Sequence, residues 1–220
     1  MSEGLIDADI RKAETLPSEF YTDEQHFSKQ MEDLSKSLQF VGHSSEFTSD
    51  MTPIPHLELM LNQPLLRTNH ESDKHLLSNV CTHRGMVLCQ EKKDGKSIQC
   101  SYHGRTFQRN GKVKHMPGFE NVENFPSESD NLPSLSLKEW FGFEFTSFDA
   151  SKDINSILHP IEQRMDWWLN DLNLQHDASR DREWEIDANW ILYVDNYLEG
   201  FHIPFVHPEL NDALAKDGYS

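Results

Sequence analysis

Three things are scarce in these 220 residues: cysteine, positive charge and long apolar runs. Cysteine occurs three times, an odd number that makes no disulfide framework in a chain this long. Lysine and arginine total 20 against 37 acidic residues, a net charge of −17, and they form no block. That argues against nucleic acid or an anionic membrane as the main partner. No stretch approaches the roughly 18 apolar residues of a spanning helix. The opening MSEGLIDADIRKAETLPSEF lacks the basic-then-apolar layout of a secretory signal. The expectation is a soluble, acidic, cytoplasmic protein. Hydrophobic residues are present in useful number, 36% with five Trp and thirteen Phe, enough for one large core or two small ones.

The chain changes texture twice. Residues 1–40 read as a helical arm: after Thr22 or Asp23 as cap, Phe27, Met31, Leu34 and Leu38 recur at spacings of four, three and four on one helix face. Residues 41–150 read as all-β, with short apolar or alternating runs divided by turns. Asp94-Gly95 and Asn110-Gly111 suit tight hairpins, and LKEWFGFEFTSF reads as one more strand. Residues 151–220 open the third part. INSILHPIEQRMDWWLNDL has helical spacing that Pro160 interrupts or starts, REWEIDANW resembles a strand, and ILYVDNYLEGFH a helix that Pro204 must end or distort.

The chemistry-bearing segment is CTHRGMVLCQEKKDGKSIQCSYHGRTF. Cys81 and His83 are one residue apart, Cys100 and His103 two, and sixteen residues separate His83 from Cys100. Two thiolates and two imidazoles can close a tetrahedral zinc site. They can equally hold a [2Fe–2S] cluster with both cysteines on one iron and both histidines on the other. Each loop supplies one Cys and one His, which suits two hairpin tips gripping two irons.

This C-x-H-x16-C-x2-H pattern, with His83-Arg84-Gly85 and Tyr102-His103-Gly104 around it, resembles the Rieske iron–sulfur motif. Members of the respiratory branch carry an extra cysteine in each loop. Met86 and Ser101 stand at those places here, so the resemblance is to the oxygenase and ferredoxin branches. Cys89 is left as a thiol outside the ligand set. Arg84 and Arg105, beside the loops, are read as partners of carboxylates or of a neighbouring subunit. His26, His43, His56, His70, His75, His115, His159 and His176 are given structural or surface roles.

A second constellation lies in NWILYVDNYLEGFHIPFVHP. Asn196, Glu199 and His202 recur at three-residue steps. His202 and His207 are five apart, about 140° around an undistorted helix, and Pro204 between them lets the chain bend so both imidazoles meet one point. Asn189-Trp190 followed by Asn196-x2-Glu199-x2-His202-x4-His207 resembles the mononuclear iron site of Rieske non-haem iron oxygenase large (alpha) subunits, and LPSEFYTDEQHF…FVGH resembles that family's lead-in.

The resemblance implies an all-β Rieske domain with a helical N-terminal arm, followed by the start of an α+β, helix-grip-like catalytic domain. It implies a [2Fe–2S] cluster on Cys81, His83, Cys100 and His103, and a mononuclear Fe(II) on His202 and His207. Glu199 would bridge the two centres across a subunit boundary, in the place where the family usually has Asp, and Asn196 would orient or gate the iron. Glu is the variant found in members acting on quaternary amines. The expected activity is that of a terminal oxygenase, hydroxylating or demethylating a small organic substrate with O2. Its electrons would come from an NAD(P)H-dependent reductase or ferredoxin, and its assembly would be a homotrimer. Aromatic acids and quaternary ammonium compounds both stay open as substrates. The family's third iron ligand is an Asp far downstream; Asp212 and Asp217 match no family position, and the expectation is a piece of a longer enzyme. The alternative is a Rieske ferredoxin-type electron carrier; a zinc-stabilised interaction module is a third.

Overall fold

The computed structural model describes residues 6–149, 151–169 and 173–217. It forms two compact units, residues 31–181 and, separately, residues 6–30 with 182–217. In chain order the helices are α1 (Glu19–Thr22), α2 (Glu24–Ser35), α3 (Pro55–Leu61), α4 (Ile154–Leu169), α5 (Trp190–Leu198), α6 (Ile203–Val206) and α7 (Pro208–Asp217). The strands are β1 (Gln39–His43), β2 (Met51–Pro53), β3 (Leu65–His70), β4 (Asp73–Ser78), β5 (Ile98–Gln99), β6 (Thr106–Phe107), β7 (Val113–His115), β8 (Ser134–Leu135), β9 (Lys138–Trp140) and β10 (Phe143–Thr146). No helix among the described residues is long and apolar enough to cross a membrane.

The all-β expectation for the middle of the chain holds. Among the described residues three antiparallel sheets form, ordered β1-β10-β9, β2-β3-β4-β8 and β5-β6-β7. The paired leucines of β3 and β4 explain how two cores arise. Successive side chains on a strand point to opposite faces. Leu66 and Leu77, opposite each other in register, enter a core with Cys81, Cys89, Ile98, Cys100, Phe107 and Leu132. Leu65 and Leu76 turn the other way and pack with Val41, Phe47, Ile54 and Leu57. Each such buried Leu contributes about 1.5–3 kcal/mol. The first core is the floor under the Cys–His loops.

Arg67 binds β3 to β10. Its Nε and Nη2 donate to the Glu144 carboxylate at 2.8 and 2.9 Å, and Nη1 donates to Thr68 O and Asn69 Oδ1. Both charged side chains are buried, 2% and 0% exposed.

Several local expectations need correction. Asn110-Gly111 makes its hairpin between β6 and β7, with Gly111 at φ +85°. Asp94-Gly95 does not join two strands: Lys93 bridges Met51, and Asp50 takes both polar partners, donating its N–H to Asp94 and accepting that of Gly95. The single strand expected through LKEWFGFEFTSF is a hairpin of β9 and β10. Phe141 and Gly142 turn it at φ +49° and +87°, the two positive values of a type I′ turn. Helix α4 runs through Pro160, held by the buried Ile154, Leu158 and Leu169, and its expected continuation over 170–172 lies outside the described residues. REWEIDANW forms no strand, because no neighbouring strand pairs with it among the described residues.

In the other unit Asp23 is the cap of α2, its Oδ1 accepting the N–H groups of Gln25 and His26 at 2.9 and 3.0 Å. Asn189 caps α5, with Oδ1 accepting from Ile191 N at 3.0 Å while Nδ2 donates to Tyr21 O and Gln30 Oε1. The α5 helix ends at Leu198, so Glu199 leaves it in extended conformation at φ −116°, ψ 151°.

Candidate functional site

The two Cys–His loops are built alike. The Cys81 N–H donates to Met86 O and that of Cys100 to Arg105 O, five residues on, both at 2.8 Å. The Gly85 N–H returns to Cys81 O and that of Gly104 to Cys100 O, both at 3.0 Å. Gly85 and Gly104 have φ +72° and +74°, which a side chain rarely adopts. Two equivalent tight loops therefore lead off one apolar floor, with a cysteine rooted at the base of each.

Across the loops like meets like. The Cys81 and Cys100 side chains are both buried in the same core cluster. The His83 and His103 rings stand edge to face, with centroids 4.8 Å apart at 74°. Among the described residues no three His, Cys, Asp or Glu side chains close around a single ion. A sulfur pair beside a nitrogen pair is the donor set that a [2Fe–2S] cluster with mixed ligation needs. His103 Nδ1 is buried without a hydrogen-bond partner among the described residues, an open ligand position that fits this group.

Electrostatics favour the neutral imidazole that a metal takes, whereas the Cys81 thiol has to lose its proton when a cluster binds. Burial pushes the Cys81 thiol up, Cys100 adds to this, and the backbone N–H groups of His83 and Arg84 oppose it. Burial lowers His83, followed by the charges of His103, Arg105 and Arg84. Cys89 is separate: its Sγ faces Glu91 O at 3.0 Å, and Asn79 clasps its backbone from both sides.

The second constellation also assembles in part. The His202 and His207 rings have centroids 5.3 Å apart at 77°. Short helix α6, opened by Pro204 in its first turn, joins them, with His207 N donating to Ile203 O at 2.9 Å. Glu199 pairs with His202 Nδ1, and that contact is the main cause holding its carboxyl below the usual range. Two imidazoles fit two positions of an iron site; a third carboxylate ligand is not present among the described residues. Asn196 lies exposed on α5 and joins the pair through no hydrogen bond among the described residues. Asp212 is exposed on α7.

Neighbours that the sequence did not reveal complete both sites. Tyr21 OH donates to Asp195 at 2.6 Å, bracing α5 from a distance of 174 residues in the chain. Arg105, read only as a partner for some carboxylate, is 3% exposed and donates to Thr82 Oγ1 at 2.9 Å and Asp130 Oδ1 at 3.3 Å. Of the other histidines, His43 joins Ser45 Oγ at 2.8 Å, His56 Nε2 faces Phe40 O at 2.9 Å, and His176 pairs with Asp181 at 2.8 Å. Those are structural roles.

Comparison with known proteins agrees with this arrangement. Residues 37–126 match the model of the Rieske [2Fe–2S] domain, and residues 173–219 that of the ring hydroxylating alpha subunit (catalytic domain). The carnitine monooxygenase oxygenase subunit of Escherichia coli (strain K12) is 31% identical over 217 residues, 96% of this chain and 57% of the relative. The chloroplastic choline monooxygenase of Arabidopsis thaliana is 25% identical over 231 residues, 96% of this chain and 52% of the relative. The crystal structure of the quaternary ammonium Rieske monooxygenase CntA with L-carnitine superposes with a TM-score of 0.74 at 28% identity, over 91% of this chain and 57% of that one. The chain thus spans a little over half the length of these relatives. With two thiols and two imidazoles on twin loops over the stretch that matches the Rieske [2Fe–2S] domain, followed by a stretch that matches the ring hydroxylating alpha subunit, the chain is similar to Rieske oxygenase alpha subunits.

Proposed function

We propose that this chain is the cluster-bearing part of a terminal oxygenase acting on a quaternary ammonium compound. Cys81 and Cys100 would hold one iron of the cluster, and His83 and His103 the other. His202 and His207 would hold the mononuclear iron. When bound, these groups supply one-electron relay and reductive activation of dioxygen for hydroxylation or demethylation. The observation that carries the reading is that both cysteines share one buried core while both imidazoles meet across the loops.

The protein's own residues do the rest. The glycine tips of the two loops keep both histidines at the surface side of the floor, where His83 and His103 are half-buried and Tyr102 is exposed. Glu199 takes Nδ1 of His202, which leaves Nε2 for a metal. In this reading Glu199 also links the two centres between subunits of a homotrimer, and Asn196 gates the iron. The electron donor is an NAD(P)H-dependent reductase or ferredoxin. A relative's structure was solved with insight into carnitine oxidation and inter-subunit electron transfer, which supports that arrangement. The substrate class follows the carnitine and choline monooxygenases, and Glu199 agrees with it.

Iron, zinc and acid-labile sulfide per chain, measured on anaerobically purified protein, test the assignment. About three irons with two sulfides supports both centres. About two irons with two sulfides leaves an electron carrier, the second reading, which the two-ligand iron site among the described residues favours. Zinc without sulfide overturns the oxygenase reading.

A further inference from the structure

Arg105 sits where no simple surface pairing would place it. Its backbone carbonyl accepts the Cys100 N–H, closing the second loop, while its side chain crosses to the first. There Nη1 donates to Thr82 Oγ1, between Cys81 and His83, and the Thr82 hydroxyl in turn donates to Asp130 O at 2.7 Å. Asp130 Oδ1 lies 3.3 Å from the same nitrogen, and its other oxygen accepts from Ser127 N and Oγ, both at 2.8 Å. The guanidinium carbon lies 5.3 Å from the Phe125 ring centroid and 6.0 Å from that of Phe119, and Phe119 also approaches the His83 ring at 6.1 Å. Arg105 Nε is buried and has no hydrogen-bond partner among the described residues. One monodentate carboxylate contact and a neutral hydroxyl leave this buried cation incompletely compensated.

We propose that Arg105 is a positioning residue of the cluster site, tying the Cys81–His83 loop to the Cys100–His103 loop, and that its buried charge favours the reduced cluster. The proposal rests on the cluster reading above. Two ferric ions, two sulfides and two thiolates with neutral imidazoles sum to zero charge. One electron from a donor such as dithionite makes the site −1. A fixed cation in a buried setting is weakly screened and stabilises that added charge. Aromatic walls on the guanidinium face keep water away and hold the side chain in place.

The test is an EPR-monitored redox titration of the whole chain, with iron and sulfide analysis in parallel. Arg105→Gln removes the charge and should lower the ratio of reduced to oxidised cluster at fixed poise about tenfold, a shift of about 59 mV for one electron. Arg105→Lys keeps the charge and should stay near the parent. Asp130→Asn removes the opposing charge and should shift the midpoint the other way. An intact cluster signal with an unmoved midpoint in both charge variants overturns the proposal. If Arg105→Gln loses the cluster, Asp130→Asn still decides: a negative or absent shift overturns it. A parent protein without any cluster signal overturns the cluster reading itself, a separate outcome.

Discussion

Glu199 holds His202 by Nδ1, and so fixes which imidazole nitrogen is left to face a metal. The residue can do this because α5 ends one position earlier, so that its extended backbone lets the carboxylate turn back onto the histidine three residues on. Such a carboxylate sets the tautomer and orientation of the ring, and its loss typically costs 10–100-fold in metal affinity. Glu199→Ala should lower iron retention at the His202–His207 pair by about that factor. Cluster absorption should stay at the parent level. If the cluster absorption fell instead, the two sites would have been confused.

The twin loops make a graded prediction. Replacing Cys81 by Ser should abolish the visible absorption of the cluster, because the buried base of the loop loses its thiolate. Gly85→Ala and Gly104→Ala both force a side chain into a left-handed conformation, a cost of about 1–2 kcal/mol. A Cβ at Gly85 meets nothing within 4 Å, whereas one at Gly104 lies 3.2 Å from Pro117 Cγ. Gly104→Ala should therefore lose more cluster and melt lower than Gly85→Ala. Equal losses would show that the second loop is not held against Pro117.

How far the sequence reveals these features depends on whether the determinant is local. Cys81, His83, Cys100 and His103 stand out because residue type and spacing sit inside two short loops, and the approach of the His202 and His207 rings because Pro204 announces the bend between them. The Asn110-Gly111 turn is legible for the same reason. Asp94-Gly95 misleads because its polar groups find Asp50, which is 44 residues away in the chain. The turn at Phe141-Gly142 is hidden by the apolar residues around it, which continue a strand pattern on both sides. Arg105 with Thr82 and Asp130, and Tyr21 with Asp195, are long-range pairs whose members carry no local signature. Asn189 stands in the sequence only as part of a motif; that it joins Tyr21 and Gln30 while capping α5 follows only from the fold.

The Arg67–Glu144 pair predicts an asymmetric cost. Both groups are enclosed, and the guanidinium is also covered by Phe47, 5.0 Å from its carbon to the ring centroid. Glu144→Gln leaves a buried cation without its charge partner and should destabilise the protein by about 3–5 kcal/mol. The double variant Arg67→Met with Glu144→Leu removes both charges and should cost less than the single one. Denaturant melts of the three proteins check this. A double variant at least as unstable as Glu144→Gln would overturn this, because removing both charges would then bring no relief from the unpaired buried cation.

Asp130 sets a pH dependence whose sign can be worked out. The Ser127 N–H is the first cause that lowers its carboxyl below the ordinary 3.8, with the Ser127 hydroxyl and Arg105 adding to it. A group with a depressed folded pKa contributes stability that is fully present above the unfolded value and is lost as pH falls through the folded one. The contribution of Asp130 should thus be constant from neutrality down to about the ordinary carboxylate value and disappear below it. Asp130→Asn should remove that portion of the acid slope while leaving the slope above it unchanged. Stability curves for the two proteins, measured by denaturant titration across the acid range, make the comparison. Parallel curves throughout would show that the turn at Ser127 and the Arg105 contact do not depend on the charge of Asp130. Because this carboxylate also faces Arg105, the same protonation should release the guanidinium from its only charged partner among the described residues, in the range where the acid slope appears.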